Sequence, residues 1–262
     1  MIAGNAFTPD QACPICQSFY TLYVQDVLGN RTKQMYPQRY CMDCQSFFHK
    51  SSYVEDAEQK SRDFEYLFER REMHYTLMNQ LLLEIKTRLP HARTLCELGH
   101  GLGMFMKAAQ DYGMTPRGFE VSQPCHDFVR SQLMLPCHHG YFDRTHAGTY
   151  DLIAAIMVFE HLESPRELFA TMRDRLNPDG AIYLTVPFVA REHWPYLRTA
   201  GTSPVRTTDD PFYDNDVHIT HFSVEGMRRM GLGLGARTAE YWISKDVYSQ
   251  SPGSYHGILF RF

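Results

Sequence analysis

The sequence predicts an α/β fold in two parts: a small cysteine-bearing module, then a mostly parallel sheet with helices on both faces and an antiparallel hairpin at the end. Three observations predict it. Two C-x-x-C pairs fall in the first fifty residues; after Pro90 short strand patterns alternate with helical ones; and the last two strand-like runs have no helix between them. The expected segments are 1–52 for the cysteine module, 53–90 for a helical connector and 91–262 for the large domain.

The chain's 262 residues can bury a full core without disulfides. With 26 Lys and Arg against 30 Asp and Glu, the net charge of −4 supplies no general attraction for phosphate backbones, so nucleic acid is not an expected partner. Arg70-Arg71 and Arg228-Arg229 are isolated pairs, as on a solvated face. No uncharged apolar run reaches the roughly 18 to 20 residues of a spanning helix, and the start, MIAGNAFTPDQACPIC, has no basic-then-apolar leader, so no membrane and a cytoplasmic location are expected. Seven cysteines, an odd number, are then expected as reduced thiols.

Cys13-Pro14-Ile15-Cys16 and Cys41-Met42-Asp43-Cys44 each continue as Gln-Ser-Phe followed by an aromatic residue, Tyr20 or Phe48. Such a doubled pattern fits two similar turns presenting four thiolates to one tetrahedral Zn²⁺, a closed and therefore structural site of zinc-ribbon type. Gln17 and Gln45 stand where Gly often eases a positive φ, which loosens the expected geometry. His49 is expected as a lone surface histidine rather than a ligand. Between the pairs, Phe19 to Val24 alternates like a strand and Gly29-Asn30 like a turn.

From Tyr53 to Arg88, apolar residues at Phe64, Leu67, Met73, Leu77, Leu81, Leu82 and Ile85 keep largely helical spacing up to Pro90, a pattern that allows one break. Strands are then expected at Thr94–Leu98, Arg117–Val121, Leu152–Val158 and Ala181–Val186, with helices from about Met104, Gln123 and Pro165, and the final hairpin at Thr238–Ile243 and His256–Phe260. The segment 188–217 is too long for an ordinary connection, leaves the carboxyl end of a strand and carries Trp194, Tyr196, Phe212 and Tyr213, so it is expected to cover a substrate. Gly231, Gly233 and Gly235 read as a helix stop.

Glu97-Leu98-Gly99-His100-Gly101-Leu102-Gly103 follows a strand and opens a helix, the context of a glycine-rich cofactor loop, although G-x-G-x-G is not the dinucleotide spacing. Seventeen residues after Gly103, Glu120 ends the next strand, where a carboxylate can accept both hydroxyls of a ribose. At these residues the chain resembles the class I S-adenosylmethionine-dependent methyltransferases. The resemblance continues through Gly140-Tyr141-Phe142, Tyr150 to Ile153, Phe159 to Pro165, Leu176 to Gly180 and His218 to Ser223, and covers about residues 90–262. It implies a Rossmann-like seven-stranded sheet and, in the subgroup it looks most like, methylation of a small molecule such as a sugar, in some members alongside a similar N-terminal zinc module. It further implies that Glu97 with the backbone of Gly99, Gly101 and Gly103 holds the amino acid part of S-adenosylmethionine, Glu120 its ribose, Tyr141 and Phe142 its adenine, and Met157 its methionine arm. Tyr141, Phe142 and Met157 fit core positions equally well.

Methyl transfer from a sulfonium is an in-line displacement, so alignment in a dry pocket supplies much of the rate, and a base is needed only for a protonated acceptor. His161, His218 and His221 stand where the family has its active-site face, and imidazole titrates in the useful range. Quinone-pathway O-methyltransferases of this group add a Glu three residues before a Glu-His pair to bind a divalent metal; Met157 holds that position here, so the resemblance carries no catalytic metal. Cys125-His126 and Cys137-His138-His139 lack regular ligand spacing. The leading function is therefore a methyltransferase acting on a sugar or secondary-metabolite intermediate. The alternatives are a ribosomal RNA methyltransferase with a zinc ribbon, which the net charge disfavours, and a non-catalytic scaffold, which would not need the cofactor residues. The sequence does not indicate an oligomeric state.

Overall fold

The structure, a computed structural model, describes residues 11–189, 215–244 and 256–262. The aromatic residues Trp194, Tyr196, Phe212 and Tyr213 of the long loop lie outside them. In chain order the described elements are β1 (Thr21–Leu28), β2 (Met35–Cys41), β3 (Phe47–Phe48), α1 (Ala57–Glu69), α2 (Arg71–Arg88), β4 (Thr94–Leu98), α3 (Met104–Asp111), β5 (Thr115–Glu120), α4 (Gln123–Phe128) with a π-helical turn (Val129–Leu133), β6 (Cys137–His139) and β7 (Tyr150–Ile156). A 3₁₀ turn (Phe159–His161), α5 (Pro165–Arg173), β8 (Leu176–Thr185), β9 (Thr220–His221), α6 (Val224–Gly233), β10 (Thr238–Ile243) and β11 (His256–Arg261) complete the list. Among the described residues no helix is long and apolar enough to cross a membrane.

Packing divides the chain into two compact units, both discontinuous: residues 1–54, 159–167 and 186–235 in one, and 55–158, 168–185 and 236–262 in the other. The second unit holds a seven-stranded sheet in the order β10-β11-β8-β7-β4-β5-β6. Strands β8, β7, β4, β5 and β6 run parallel, and the β10–β11 hairpin joins β8 antiparallel through β11, as predicted. Leu152, Ile153, Ala154 and Ala155 of β7 are completely buried, because a parallel strand with helices on both faces has no solvated side. Leu77, Leu81, Leu82 and Ile85 of α2 pack with Phe105 and Ala109 of α3 over Leu95, Leu152, Tyr183 and Leu259. The break in the connector falls at Arg70, which ends α1 and begins α2. At the amino end of the sheet the Asp151 carboxylate accepts from the backbone N–H groups of Arg93 and Thr94 and from Asn177 Nδ2, fixing the starts of β4 and β7 against β8.

The first unit is built on a four-stranded antiparallel sheet, β1-β2-β3-β9. Its fourth strand is distant in sequence: Phe47 pairs with His221 and Phe48 with Thr220. His49, expected at the surface, is buried instead, its Nε2 bonded to the Asn215 carbonyl at 2.7 Å and its ring stacked on Tyr36. Asp216 is likewise buried, and it accepts from the backbone N–H of Arg31 and Thr32 and from the hydroxyls of Thr32 and Tyr36. A carboxylate with that many donors fixes the β1–β2 turn to the segment that leads into β9.

Candidate functional site

In the second unit, the loop between β4 and α3 is built on three glycines in the left-handed region, Gly99 at φ 65°, Gly101 at 51° and Gly103 at 70°. Two of them are also required by space. A Cβ on Gly99 would lie 2.6 Å from Val158 Cγ2, and one on Gly103 would lie 2.8 Å from Val129 Cγ2, in the π-helical turn. At Gly101 the nearest atom would be Leu67 Cδ1 of α1, 3.8 Å away. Gly103 caps α3 without a side chain, leaving the first-turn N–H groups of that helix without the usual side-chain acceptor.

Two carboxylates flank this loop. Glu120 Oε2 accepts from Gly101 N–H and Oε1 from Ser122 N–H, both at 2.8 Å, so the acid that ends β5 is oriented by the glycine loop itself. Each oxygen keeps a lone pair for a further donor. Glu97 is 3% exposed, and its Oε2 has no hydrogen-bond partner. Burial pushes its carboxyl well above the usual range, the Met106 N–H pulls it down and the charge of Glu120 adds to the rise. A buried carboxylate with an orphaned oxygen is unfavourable on its own and suited to a cationic group such as an α-ammonium.

Of the remaining residues expected at the cofactor, Phe142 is buried and packs edge-on against Phe119 at 5.0 Å, whereas Tyr141 is 79% exposed and leaves its ring available. Met157, just after β7, sits at φ 56°, a strained conformation for a residue with a Cβ, held by its N–H on the Thr185 carbonyl at 2.9 Å. Sequence reasoning did not foresee that strain, since nothing in Ile156-Met157-Val158 marks a left-handed position.

In the first unit the sulfurs of Cys13, Cys16, Cys41 and Cys44 come together within 4.8 Å of one another, with Cys13 to Cys44 at 3.6 Å and Cys16 to Cys41 at 3.5 Å. A tetrahedral zinc with Zn–S of about 2.3 Å requires S···S of roughly 3.8 Å. None of the seven cysteines forms a disulfide. The two turns are near copies: Gln17 N–H donates to the Cys13 carbonyl and Gln45 N–H to the Cys41 carbonyl, at 2.9 and 2.8 Å. Gln17 and Gln45 take φ 64° and 61°, so the glutamines adopt the left-handed geometry that the absence of glycine had seemed to loosen.

The histidines separate into two groups. Glu160, His161 and His218 each present one ligand-type atom, all within 4.8 Å of one another, and the rings of His161 and His218 meet edge to face at 4.8 Å. His161 Nδ1 lies 3.0 Å from the Val217 carbonyl; a carbonyl only accepts, so Nδ1 carries a proton. His161 Nε2 is 4.0 Å from Glu160 Oε1. Glu160 is 2% exposed, neither of its oxygens has a hydrogen-bond partner, and burial pushes its carboxyl up to about 8. Glu160 was part of a recognised sequence motif, but its role was not foreseen. His221 is not brought into this group: it is fully buried in β9, its ring 5.8 Å from that of His49, and burial holds its imidazole well below the usual range.

Numbered within the large sheet alone, the strand order is 6-7-5-4-1-2-3, with only the seventh strand antiparallel to the neighbouring parallel set and a glycine loop after the first. That arrangement defines the class I methyltransferases that use S-adenosylmethionine. A family model described as a methyltransferase domain matches residues 68–232, more than half of the chain, and the chain belongs to that family. No curated protein gives a sequence match. Solved structures share the fold at low identity. An O-methyltransferase family protein from Burkholderia thailandensis superposes with a TM-score of 0.57 at 12% identity, covering 79% of this chain and 60% of that one. Human N-acetylserotonin methyltransferase in complex with SAM gives 0.57 at 14%, covering 79% and 56%. Magnesium protoporphyrin IX methyltransferase from Synechocystis PCC 6803, with bound SAH, gives 0.52 at 10%, covering 81% and 90%. The chain thus spans less than two thirds of the first two of these proteins.

Proposed function

We propose that the protein methylates a small molecule, a sugar or secondary-metabolite intermediate, using S-adenosylmethionine. The observation that carries the reading is the pair of oriented carboxylates at the glycine loop: Glu97 with an orphaned buried oxygen and Glu120 anchored on Gly101 N–H. S-adenosylmethionine, when bound, supplies an electrophilic methyl group on a sulfonium. Glu97 would face its ammonium, the backbone of Gly99, Gly101 and Gly103 would allow close approach of its amino acid part, Glu120 would accept from the ribose hydroxyls, and Tyr141, Phe142 and Met157 would bound the adenine and methionine portions. The chain's own contribution to rate is to align the acceptor and exclude water.

Within this proposal His161 or His218 takes the proton from a protonated acceptor, and His221 has a structural role in β9. The four-cysteine group would hold one structural Zn²⁺; its donor set, all thiolate and closed, leaves no position for a substrate. The net charge of −4 supports a small acceptor over ribosomal RNA. Calorimetry with S-adenosylhomocysteine (SAH) tests the reading: stoichiometric binding by the wild type, weakened at least tenfold by Glu120→Ala, is expected, and no binding by folded wild-type protein would refute it.

A further inference from the structure

His100 lies inside the glycine loop of the second unit and is 4% exposed. Its surroundings are built for a ring. A Cβ on Gly118, in the neighbouring strand β5, would lie 2.5 Å from His100 Cδ2 and 2.5 Å from Met106 Sδ, so the glycine is what makes room for the imidazole. A polar ring buried there is unfavourable unless it bonds, and it bonds on one side. Nδ1 lies 2.8 Å from the Gly101 carbonyl, which only accepts, so Nδ1 carries a proton. Nε2 is buried with no hydrogen-bond partner among the described residues. Burial pushes the imidazole below its usual range, and a neutral ring protonated at Nδ1 is the form that fits these contacts.

The bond from Nδ1 bears on Glu120. The peptide joining His100 to Gly101 is held at both ends: its carbonyl accepts from Gly103 N–H at 2.7 Å, and its N–H donates to Glu120 Oε2 at 2.8 Å. The next peptide, Gly101 to Leu102, is held by the His100 ring through the Gly101 carbonyl. Gly101 stands between these two planes at φ 51°, with no side chain of its own to limit it. Fixing both planes sets its φ and ψ, and with them the direction of the N–H that orients Glu120. The start of the loop is anchored as well, since Gly99 N–H and His100 N–H both donate to the Phe119 carbonyl, at 2.8 and 3.4 Å.

We infer that His100 is a positioning residue for the cofactor: its ring, donating from Nδ1 to the Gly101 carbonyl, holds the loop so that Glu120 faces the ribose hydroxyls. This rests on the methyltransferase reading and adds to it a residue that acts through Glu120. What the role requires is a donor at the δ position of residue 100. Leucine would fill the space over Gly118 and leave the Gly101 carbonyl without that donor. Asparagine, whose Nδ2 is attached to Cγ as Nδ1 is in histidine, keeps the donor and gives up most of the ring. The two substitutions therefore separate the hydrogen bond from the packing.

The test measures SAH affinity by calorimetry in the full chain, with circular dichroism to show that each variant is folded. His100→Leu should weaken binding roughly tenfold or more, and His100→Asn should stay within about threefold of the wild type. Because His100 acts through Glu120, adding His100→Leu to Glu120→Ala should weaken binding by less than about twofold more, a non-additive double-mutant cycle. A full loss on adding His100→Leu to Glu120→Ala, a folded His100→Leu that binds like the wild type, or a folded His100→Asn that binds as poorly as His100→Leu overturns the positioning role. Should His100→Leu fail to fold, ¹⁵N spectra of histidine-labelled protein decide. A neutral ring protonated at Nδ1 whose signal disappears in His100→Asn is expected, and a His100 ring protonated at Nε2 alone overturns the proposal. A wild type that binds no SAH instead overturns the methyltransferase reading on which it rests.

Discussion

Ser223 Oγ donates to the carbonyl oxygen of Cys44 at 2.5 Å, joining the second cysteine turn to the start of α6. The same hydroxyl accepts from Gly226 N–H at 2.8 Å, the ordinary work of a helix N-cap, while Ser46 Oγ accepts from Ser223 N–H at 3.0 Å. Gly226 is required there, because a Cβ would lie 2.3 Å from Ser46 Oγ. The thiolate module and the segment bearing His218 and His221 are therefore one folded body.

Zinc removal should accordingly affect chemistry more than cofactor binding. Cys41→Ser, or chelation, is expected to loosen the first unit, including residues 215–223, and to lower turnover severely, with SAH affinity changed by less than about threefold. Hydrogen exchange would locate the loosening, and metal analysis of chelator-free protein should find one zinc per chain on the four cysteines. Exchange protection unchanged in residues 215–223 after zinc loss would contradict the coupling.

Glu97 predicts the pH dependence of binding. Its carboxyl is raised well above the usual range in the free protein, and an ammonium partner binds only the ionised form, so binding releases a proton and affinity rises with pH up to the raised value. Glu97→Gln should weaken SAH binding by about 1.5–3 kcal/mol and flatten this dependence. Calorimetry from pH 6 to 8, in buffers of different ionisation enthalpy, reads both.

The histidines should separate by phenotype. His161→Ala and His218→Ala are expected to lower turnover by about 10²- to 10⁴-fold with SAH binding preserved. His221→Ala opens a cavity in a buried strand and should instead lower thermal stability. If His221→Ala retained its melting temperature but lost turnover like the other two, the grouping would be wrong.

Gly99 and Gly113 allow the steric and conformational effects to be separated. Both have positive φ, but a Cβ on Gly99 meets Val158 at 2.6 Å whereas one on Gly113 meets nothing within 4 Å. Gly113→Ala should cost about 1–2 kcal/mol, and Gly99→Ala about 1–3 kcal/mol more. Chemical denaturation should show Val158→Ala restoring part of the loss at Gly99 and none at Gly113.

Much of this was legible in the sequence where a local pattern carried the information. The strand-helix alternation after Pro90 gave the parallel sheet, and the doubled Cys-x-x-Cys-Gln-Ser-Phe pattern gave the thiolate cluster. β6, only three residues long, was missed because Cys137–His139 is too short to show alternation. β9 was missed for a different reason: Thr220 and His221 become a strand only by pairing with Phe48 and Phe47, and long-range pairing has no local signature. The burial of His49 and Glu160 was hidden likewise, since polar residues show their burial only through distant partners such as Asn215 and Ile219.

The pairing of β3 with β9 also sets an order of events during synthesis. Ser46 and Ser223 lie 177 residues apart, and ribosomes add about 5–20 residues per second, so the cysteine strands wait roughly 10–35 s for the strand and helix that complete their sheet. During that interval the outer edge of Phe47–Phe48 is an unpaired, aromatic strand edge, the kind of surface on which nascent chains associate wrongly. Early capture of a metal ion by the four thiols would hold β1 and β2 in place while the rest of the chain emerges, making metal supply a determinant of folding yield as well as of the finished fold.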